Sequence, residues 1–174
     1  MNVTLKRPEP AESNDYYKTY ISKVDGDNYL TVLEMLMSKT IGLLNSLDTS
    51  KWNHRYAEGK WSIKEVMIHV LDTERIMAYR ALRIARNDKT PMPGFDQDDY
   101  MPFTDAENRN PQSIIEEYIA VRKGTIEMFK YFTDEMLGRV GTASGNPFTP
   151  RALGYIIAGH ELHHMRIVRE RYLV

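Results

Sequence analysis

The chain has 174 residues, a net charge of −1 and no cysteine. The near balance of 23 basic and 24 acidic residues argues against a nucleic-acid-binding surface, which needs a basic patch. The absence of cysteine excludes disulfides and thiolate metal ligands, and the length suits one domain, 1–174, that can bury a core without either.

The N-terminal segment contains no apolar core of a signal peptide, and no later apolar run is long enough to span a membrane. We therefore expect a cytoplasmic protein with no membrane partner. Residues 1–26 are predicted to form an irregular N-terminal arm that packs on the body of the protein. This arm carries a tyrosine cluster, formed by Tyr16, Tyr17 and Tyr20.

The first two long helices are predicted from apolar residues at helical spacing. The first helix starts near Asp27 and ends at 48–50. The second helix begins with a capping box, in which the Ser62 hydroxyl accepts from the backbone and the Glu65 carboxylate reaches back to the cap. It continues to about Asn87, and its pattern includes Tyr79 on the buried face.

The last two long helices have similar predicted starts, because each begins with a capping residue followed by proline. These starts are Asn110-Pro111 and Thr149-Pro150. Apolar spacing extends the third helix as far as Phe132. Four long helices without a convincing strand predict an all-α four-helix bundle, in which sites form from side chains on facing helices.

A long crossover, residues 88–110, separates the second and third helices and contains three prolines and one glycine. A connection of this length is often functional, and Asp96, Asp98 and Tyr100 are candidates to cover a pocket. A solvated crossover without a function is an equally good interpretation. The shorter connection, 138–146, is rich in glycine and is predicted to be a loop.

A metal site is predicted from the histidines. His160 and His164 are one helical turn apart and can direct two imidazoles at one point. His69, inside the apolar second helix, is the best candidate for a third ligand, because a buried imidazole without a partner is costly. Three imidazoles suit zinc, nickel, copper or ferrous iron. His163 is the nearest competitor, and we prefer His164 because residues four apart align better.

A structural interpretation of the same histidines stays open at this point. A single inward histidine is usually a hydrogen-bonded core residue, and histidine pairs four residues apart are common by chance. A non-catalytic metal-binding or interaction module is the second interpretation, and it predicts a fourth protein ligand or a site closed to solvent.

The segment from His160 to His164 also satisfies H-E-x-x-H, in which Glu161 would be the general base of a zinc protease. The downstream glycine and third histidine of such enzymes are absent, and no strand is predicted to hold an extended peptide. Glu161 is therefore expected to be a solvated carboxylate or one that supports a ligand from behind.

Three further residues have candidate roles close to the histidines. Asp72, one turn after His69, is a candidate to orient a ligand imidazole. Arg80 and Arg83 follow on roughly the same stripe and are candidates to attract an anion, although surface or interhelix salt bridges are the favoured interpretation.

The chain resembles a known family, the DinB-like superfamily of metal-binding four-helix bundles, over nearly its whole length. The segments that carry the resemblance are Trp61–Glu65 with His69, Arg75, Arg80–Arg86, Pro93–Asp96 and Ala158–His164.

The resemblance implies an up-down-down-up bundle, commonly a homodimer, with zinc or nickel held by His69, His160 and His164 and with coordination positions left open. Relatives transfer low-molecular-weight thiols to electrophiles or isomerise substrates through a thiol adduct, and others are regarded as metal-dependent hydrolases. We expect a metal-dependent hydrolase or thiol transferase acting on a small molecule. Such a metal makes either a bound water or a bound thiol more acidic, so the ligands do not decide between these reactions.

Overall fold

The computed structural model describes residues 6–173 and shows four long helices, which confirms the predicted all-helical bundle. The long helices are α2 Tyr29–Asn45, α3 Ile63–Ala85, α5 Pro111–Lys130 and α7 Pro150–Ile167. Three short helices accompany them, α1 Asp15–Ile21, α4 Gln97–Tyr100 and α6 Asp134–Gly138. α3 packs on both α5 and α7, and α2 also packs on both.

Local capping chemistry sets the helix starts as the sequence predicts. The Ser62 hydroxyl accepts from the backbone N–H of Glu65, and the Glu65 carboxylate accepts from the N–H of Ser62 at 2.6 Å. Asn110 and Thr149 cap α5 and α7 through their side-chain oxygens, each with proline in the first helical turn. These caps fix where the two helices that face α3 begin.

Two apolar cores fill the bundle. One core surrounds Tyr29, Phe129 and Ile156, and the other surrounds Met67 and Ile114. Along α7, the first core extends to residue 158 and the second resumes at 165, so the segment 159–164 lies between them. The two candidate ligands on α7 therefore lie between the two apolar regions, whereas His69 on α3 lies beside residues of the second core, such as Ile68 and Leu71.

Several details differ from the sequence prediction. A short antiparallel hairpin, β1 Gly141–Ala143 with β2 Asn146–Phe148, occupies the segment predicted to be a loop. Tyr79 is 55% exposed and not on the buried face of α3. The crossover 88–110 is not structureless, since it contains α4 and two 3₁₀ turns, Met101–Phe103 and Ala106–Asn108.

The N-terminal arm is helical where it meets the bundle. α1 packs against α7, and a 3₁₀ turn, Pro10–Glu12, precedes it. The part of the predicted arm formed by residues 1–5 lies outside the described residues. Within 6–173, none of the helices combines the length and the apolar character that crossing a bilayer requires.

We expect Ser62→Ala to lower the free energy of unfolding by about 1 kcal/mol, because the α3 capping box loses its acceptor. Urea unfolding of the metal-free protein measures this change. Ser50→Ala, at an exposed position of a turn, is the control and should change stability little. Equal stability of Ser62→Ala and the parent would contradict the role of the cap.

Candidate metal centre

The three predicted histidines come together inside the bundle. His69 lies on α3, and His160 and His164 lie one turn apart on α7. His69 is 3% exposed and His160 6% exposed, whereas His164 is partly exposed. Packing of α3 on α7 thus places three imidazoles from distant parts of the sequence at one point.

The ring nitrogens converge through the same atom of each side chain. His160 Nε2 lies 2.9 Å from His69 Nε2 and 3.1 Å from His164 Nε2. The possible ligand atoms of the three residues all lie within 4.8 Å of one another, and no other such group of three or more histidine or acidic side chains occurs within 6–173.

These distances fit a shared cation better than a set of hydrogen bonds. Nε2 of a neutral imidazole offers either one hydrogen or one lone pair, so His160 Nε2 cannot form good hydrogen bonds to both neighbours. Imidazole nitrogens bind zinc at about 2.0–2.1 Å, and nitrogens around one ion therefore lie about 3 Å apart. The donor set and its spacing both fit a divalent transition metal.

The surroundings keep the imidazoles neutral, which is the form that binds metals. Burial lowers the pKa of His69 to about 4, with a smaller contribution from the nearby His163. Burial and the neighbouring imidazoles lower the pKa of His164 to about 3 and that of His160 well below its ordinary value. All three therefore present free lone pairs at neutral pH.

Aromatic side chains enclose the imidazoles on two sides. The Trp61 ring lies 5.0 Å from the His69 ring, and the Tyr20 ring lies 5.3 Å from the His160 ring. Tyr20 reaches this place because Gly159 lets α1 approach α7, and a Cβ at Gly159 would lie 2.0 Å from the carbonyl oxygen of Tyr20. The sequence showed the tyrosine cluster but gave it no place in the site.

The other histidines do not join the group. The His163 ring is 5.1 Å from that of His164 and 5.6 Å from that of Tyr20, and its buried Nδ1 has no hydrogen-bond partner among the described residues. His54 lies at the end of a 3₁₀ turn, 6.3 Å from the ring of Tyr172. The geometry thus favours His164 over His163 as the neighbour of His160.

Glu161 is not a solvated carboxylate, which corrects one of the two expectations for it. Its side chain is fully buried and accepts hydrogen bonds from Thr40 at 2.6 Å and from Tyr118 at 2.7 Å. It also forms an ion pair with Arg122. Because Glu161 directs its carboxylate into this network and away from the imidazoles, its position does not fit the general base of a zinc protease.

Asp72 and Arg80 also differ from their predicted roles. Asp72 lies 3.8 Å from Arg75 and forms no hydrogen bond to an imidazole within the described part of the chain. Arg80 is 2% exposed and is absent from the ion pairs among residues 6–173. Its guanidinium instead donates to the Pro93 carbonyl at 2.8 Å and to Ser144 at 3.0 Å, so it ties the crossover and the hairpin to α3.

The crossover contributes to a cleft beside α3. Tyr100 and Phe103 line a cavity of about 350 Å³ together with Asp72 and Arg109. The sequence analysis predicted three crossover residues that could cover a pocket. Tyr100 lines this cavity, whereas Asp96 caps α4.

The sequence also contains a signal for the Glu161 network, namely a charged residue inside an apolar stripe. Arg122 is fully buried in α5, one turn from Tyr118 and Ile126 on the apolar stripe. A charged residue inside such a stripe must find a buried partner, and an acidic residue on a facing helix is the natural one. The partner itself could not be chosen without the packing of the helices.

A family model described as the DinB superfamily matches residues 33–168. The chain belongs to this superfamily. A curated relative from Oceanobacillus iheyensis, named "Putative metal-dependent hydrolase OB0413", is 24% identical over 148 residues, which are 83% of this chain and 84% of the relative. The DinB resemblance expected from the histidine motifs is thereby confirmed.

Two solved structures share the DinB-superfamily fold of this chain. YfiT from Bacillus subtilis, described as a probable metal-dependent hydrolase with an unusual four-helix bundle topology, has a TM-score of 0.68 at 18% identity and covers 93% of this chain and 91% of its own. A mycothiol-dependent maleylpyruvate isomerase has a TM-score of 0.67 at 13% identity, covering 83% of this chain and 61% of its own. These two structural similarities support the four-helix-bundle fold of this chain.

We expect the metal-free protein to lose stability as the pH falls from about 6.5 towards 4. In this range the unfolded chain binds protons at histidines that stay neutral in the folded state, because the folded pKa values of His69 and His164 are about 4 and about 3. His69→Leu should reduce the slope of unfolding free energy against pH by up to about 1.4 kcal/mol per unit.

Urea unfolding in the presence of a chelator between pH 4.5 and 7 measures these slopes. His54→Leu is the matched control, because it removes a histidine outside the converging group. Identical slopes for His69→Leu and the parent would contradict the neutral burial of His69.

We expect Gly159→Ala to destabilise the protein by about 1–3 kcal/mol, the usual effect of an extra carbon atom in a packed region. The new Cβ would lie 2.0 Å from a backbone oxygen of α1, so α1 must move away from α7. Thermal unfolding measures the change. Gly42→Ala, where a Cβ meets nothing within 4 Å, is the control and should not be destabilised.

Proposed function

We propose that this chain is a metal-dependent enzyme that acts on a small molecule, with His69, His160 and His164 as the protein ligands of one divalent ion. We propose zinc or nickel as the bound ion. The observation that carries the proposal is the convergence of three neutral Nε2 atoms, two of them 2.9 Å and 3.1 Å from the third.

The same geometry favours an enzyme over a closed binding module. No fourth histidine or acidic ligand accompanies the three imidazoles within the described residues, so the donor set leaves coordination positions for other molecules. A closed structural site would normally have four protein ligands. His164 is partly exposed, which supports access from solvent on that side.

When bound, a divalent ion supplies Lewis acidity and lowers the pKa of a water or thiol that reaches it. The chain supplies the conditions for this chemistry. Burial of His69 and His160 keeps their imidazoles neutral, so the charge of the ion is not reduced by its ligands. The Trp61 and Tyr20 rings limit bulk water at two sides of the imidazoles.

The names of the relatives support two reaction classes. The curated relative is named a "putative metal-dependent hydrolase" and YfiT is described as a "probable metal-dependent hydrolase", whereas the third protein is a mycothiol-dependent isomerase. We propose hydrolysis or transfer of a low-molecular-weight thiol for this chain, on a small-molecule substrate. A homodimer is part of the proposal, on the strength of the family resemblance.

Removal and return of the metal test the proposal. Metal-depleted protein should be inactive against esters and amides and also against small thiols combined with electrophiles. Addition of zinc or nickel should restore activity on one of these two substrate sets. Activity that survives complete depletion, or a reloaded protein that is inactive on both sets, would contradict the proposed function.

Single-histidine variants test the ligand set. We expect His69→Ala, His160→Ala and His164→Ala each to weaken zinc binding by at least about 100-fold, because removing a direct ligand costs more than losing a supporting contact. His54→Ala is the matched control and should bind one zinc per chain. Elemental analysis after dialysis gives the stoichiometry, and full zinc occupancy in His69→Ala would exclude it as a ligand.

A further inference from the structure

At the boundary between the two apolar cores, each of the four long helices contributes a buried polar side chain to one hydrogen-bonded group. These are Thr40 on α2, Glu74 on α3, Arg122 on α5 and Glu161 on α7. On every helix, residues before and after this position belong to different cores. The four side chains therefore form one polar layer across the bundle, which we call the polar layer.

Arg122 is the centre of the polar layer. Its guanidinium donates to Glu74 at 2.7 Å and 2.9 Å and to the carboxylate of Glu161. The remaining capacity of Glu161 is filled by Thr40 at 2.6 Å and by Tyr118 of α5 at 2.7 Å. Burial lowers the pKa of Arg122, but the Glu161 and Glu74 carboxylates together raise it by more, so the pKa stands well above its ordinary value.

A gain in folding stability alone does not explain why the protein has such a polar layer. Removing charged groups from water costs several kcal/mol for each ion, and replacing a buried ion pair with apolar residues is often neutral or stabilising. A buried polar group has a different effect, since its bonds are satisfied in only one alignment of the helices. The polar layer therefore selects one rotation and one register of α7 against α3 and α5.

The metal ligands share that register because they lie on the same helices. Glu161 follows His160 directly, and Glu74 is five residues after His69. A side chain on a helix ends about 5–6 Å from the axis, so rotating α7 by about 20° would move an imidazole nitrogen by about 2 Å. This displacement equals the length of a metal–nitrogen bond.

We propose that Glu161, held by Arg122, Tyr118 and Thr40, is a positioning residue that fixes the rotation of α7 and so keeps His160 Nε2 between His69 Nε2 and His164 Nε2. This inference rests on the proposed metal site. It assigns the glutamate of the H-E-x-x-H segment a role in metal affinity and excludes direct contact with substrate.

The test compares two glutamate variants of the full chain, each of which loses an ion pair that involves α7. Glu161→Gln keeps the shape of the side chain and removes the ion pair with Arg122. Glu12→Gln is the matched control, because Glu12 makes the same kinds of contact at the other end of α7, with Arg151 at 3.0 Å and with Thr149 at 2.5 Å. Tyr118→Phe removes one hydrogen bond and leaves the charge of Glu161 intact.

Three measurements are made on each protein: zinc affinity by competition with a chelator, the visible absorption spectrum of the Co²⁺-loaded protein, and urea unfolding without metal. Glu161→Gln should weaken zinc binding about 10- to 100-fold and alter the cobalt spectrum. Tyr118→Phe should weaken zinc binding by about threefold or more. Glu12→Gln should lose stability while its zinc affinity and cobalt spectrum stay those of the parent.

The positioning role is overturned if Glu161→Gln and Tyr118→Phe fold and bind zinc within twofold of the parent with unchanged cobalt spectra. If Glu161→Gln does not fold, Tyr118→Phe decides by the same criterion. A parent protein that binds neither zinc nor nickel overturns the proposed function and this role with it. If the parent binds zinc and the variants bind it equally well, only the positioning role is overturned.

Discussion

The convergence of three neutral imidazole nitrogens between α3 and α7 is the constraint on which the site depends. One nitrogen, His160 Nε2, cannot form good hydrogen bonds to both of its neighbours, and His69 and His160 are buried, so the metal-free fold carries a polar cost at its centre. A divalent ion at this point removes that cost. Under the proposed function, folding and metal binding are therefore coupled, and metal that binds only the folded chain would stabilise it by mass action.

The histidines of α7 and the Glu161 network lie side by side in the interior of the bundle. On one side of α7 the imidazoles meet, and at neighbouring positions Glu161 joins Arg122, Glu74 and the hydroxyl groups around them. Apolar cores above and below these groups supply the hydrophobic stabilisation. The proposed coordination needs precisely placed imidazoles, and this division puts the polar groups beside them while the apolar cores hold the four helices together.

The sequence predicted the features that local physical chemistry determines. Capping residues and apolar periodicity gave the four long helices, and the four-residue spacing of His160 and His164 brought them to one face. Features that depend on partners from other helices were missed, such as the burial of Glu161 and Arg80. A carboxylate beside an apolar stripe is solvated or paired according to what the neighbouring helix presents, and for Glu161 that partner is Arg122, 39 residues away in sequence.

X-ray absorption spectroscopy of the zinc-loaded protein tests the central claim most directly, because it reports the number, type and distance of the atoms bound to the ion. Our account predicts one zinc per chain with three histidine nitrogens at about 2.0–2.1 Å and the remaining ligands from solvent. A spectrum with one histidine or none, or with only oxygen ligands, would show that the imidazoles of His69, His160 and His164 do not share an ion.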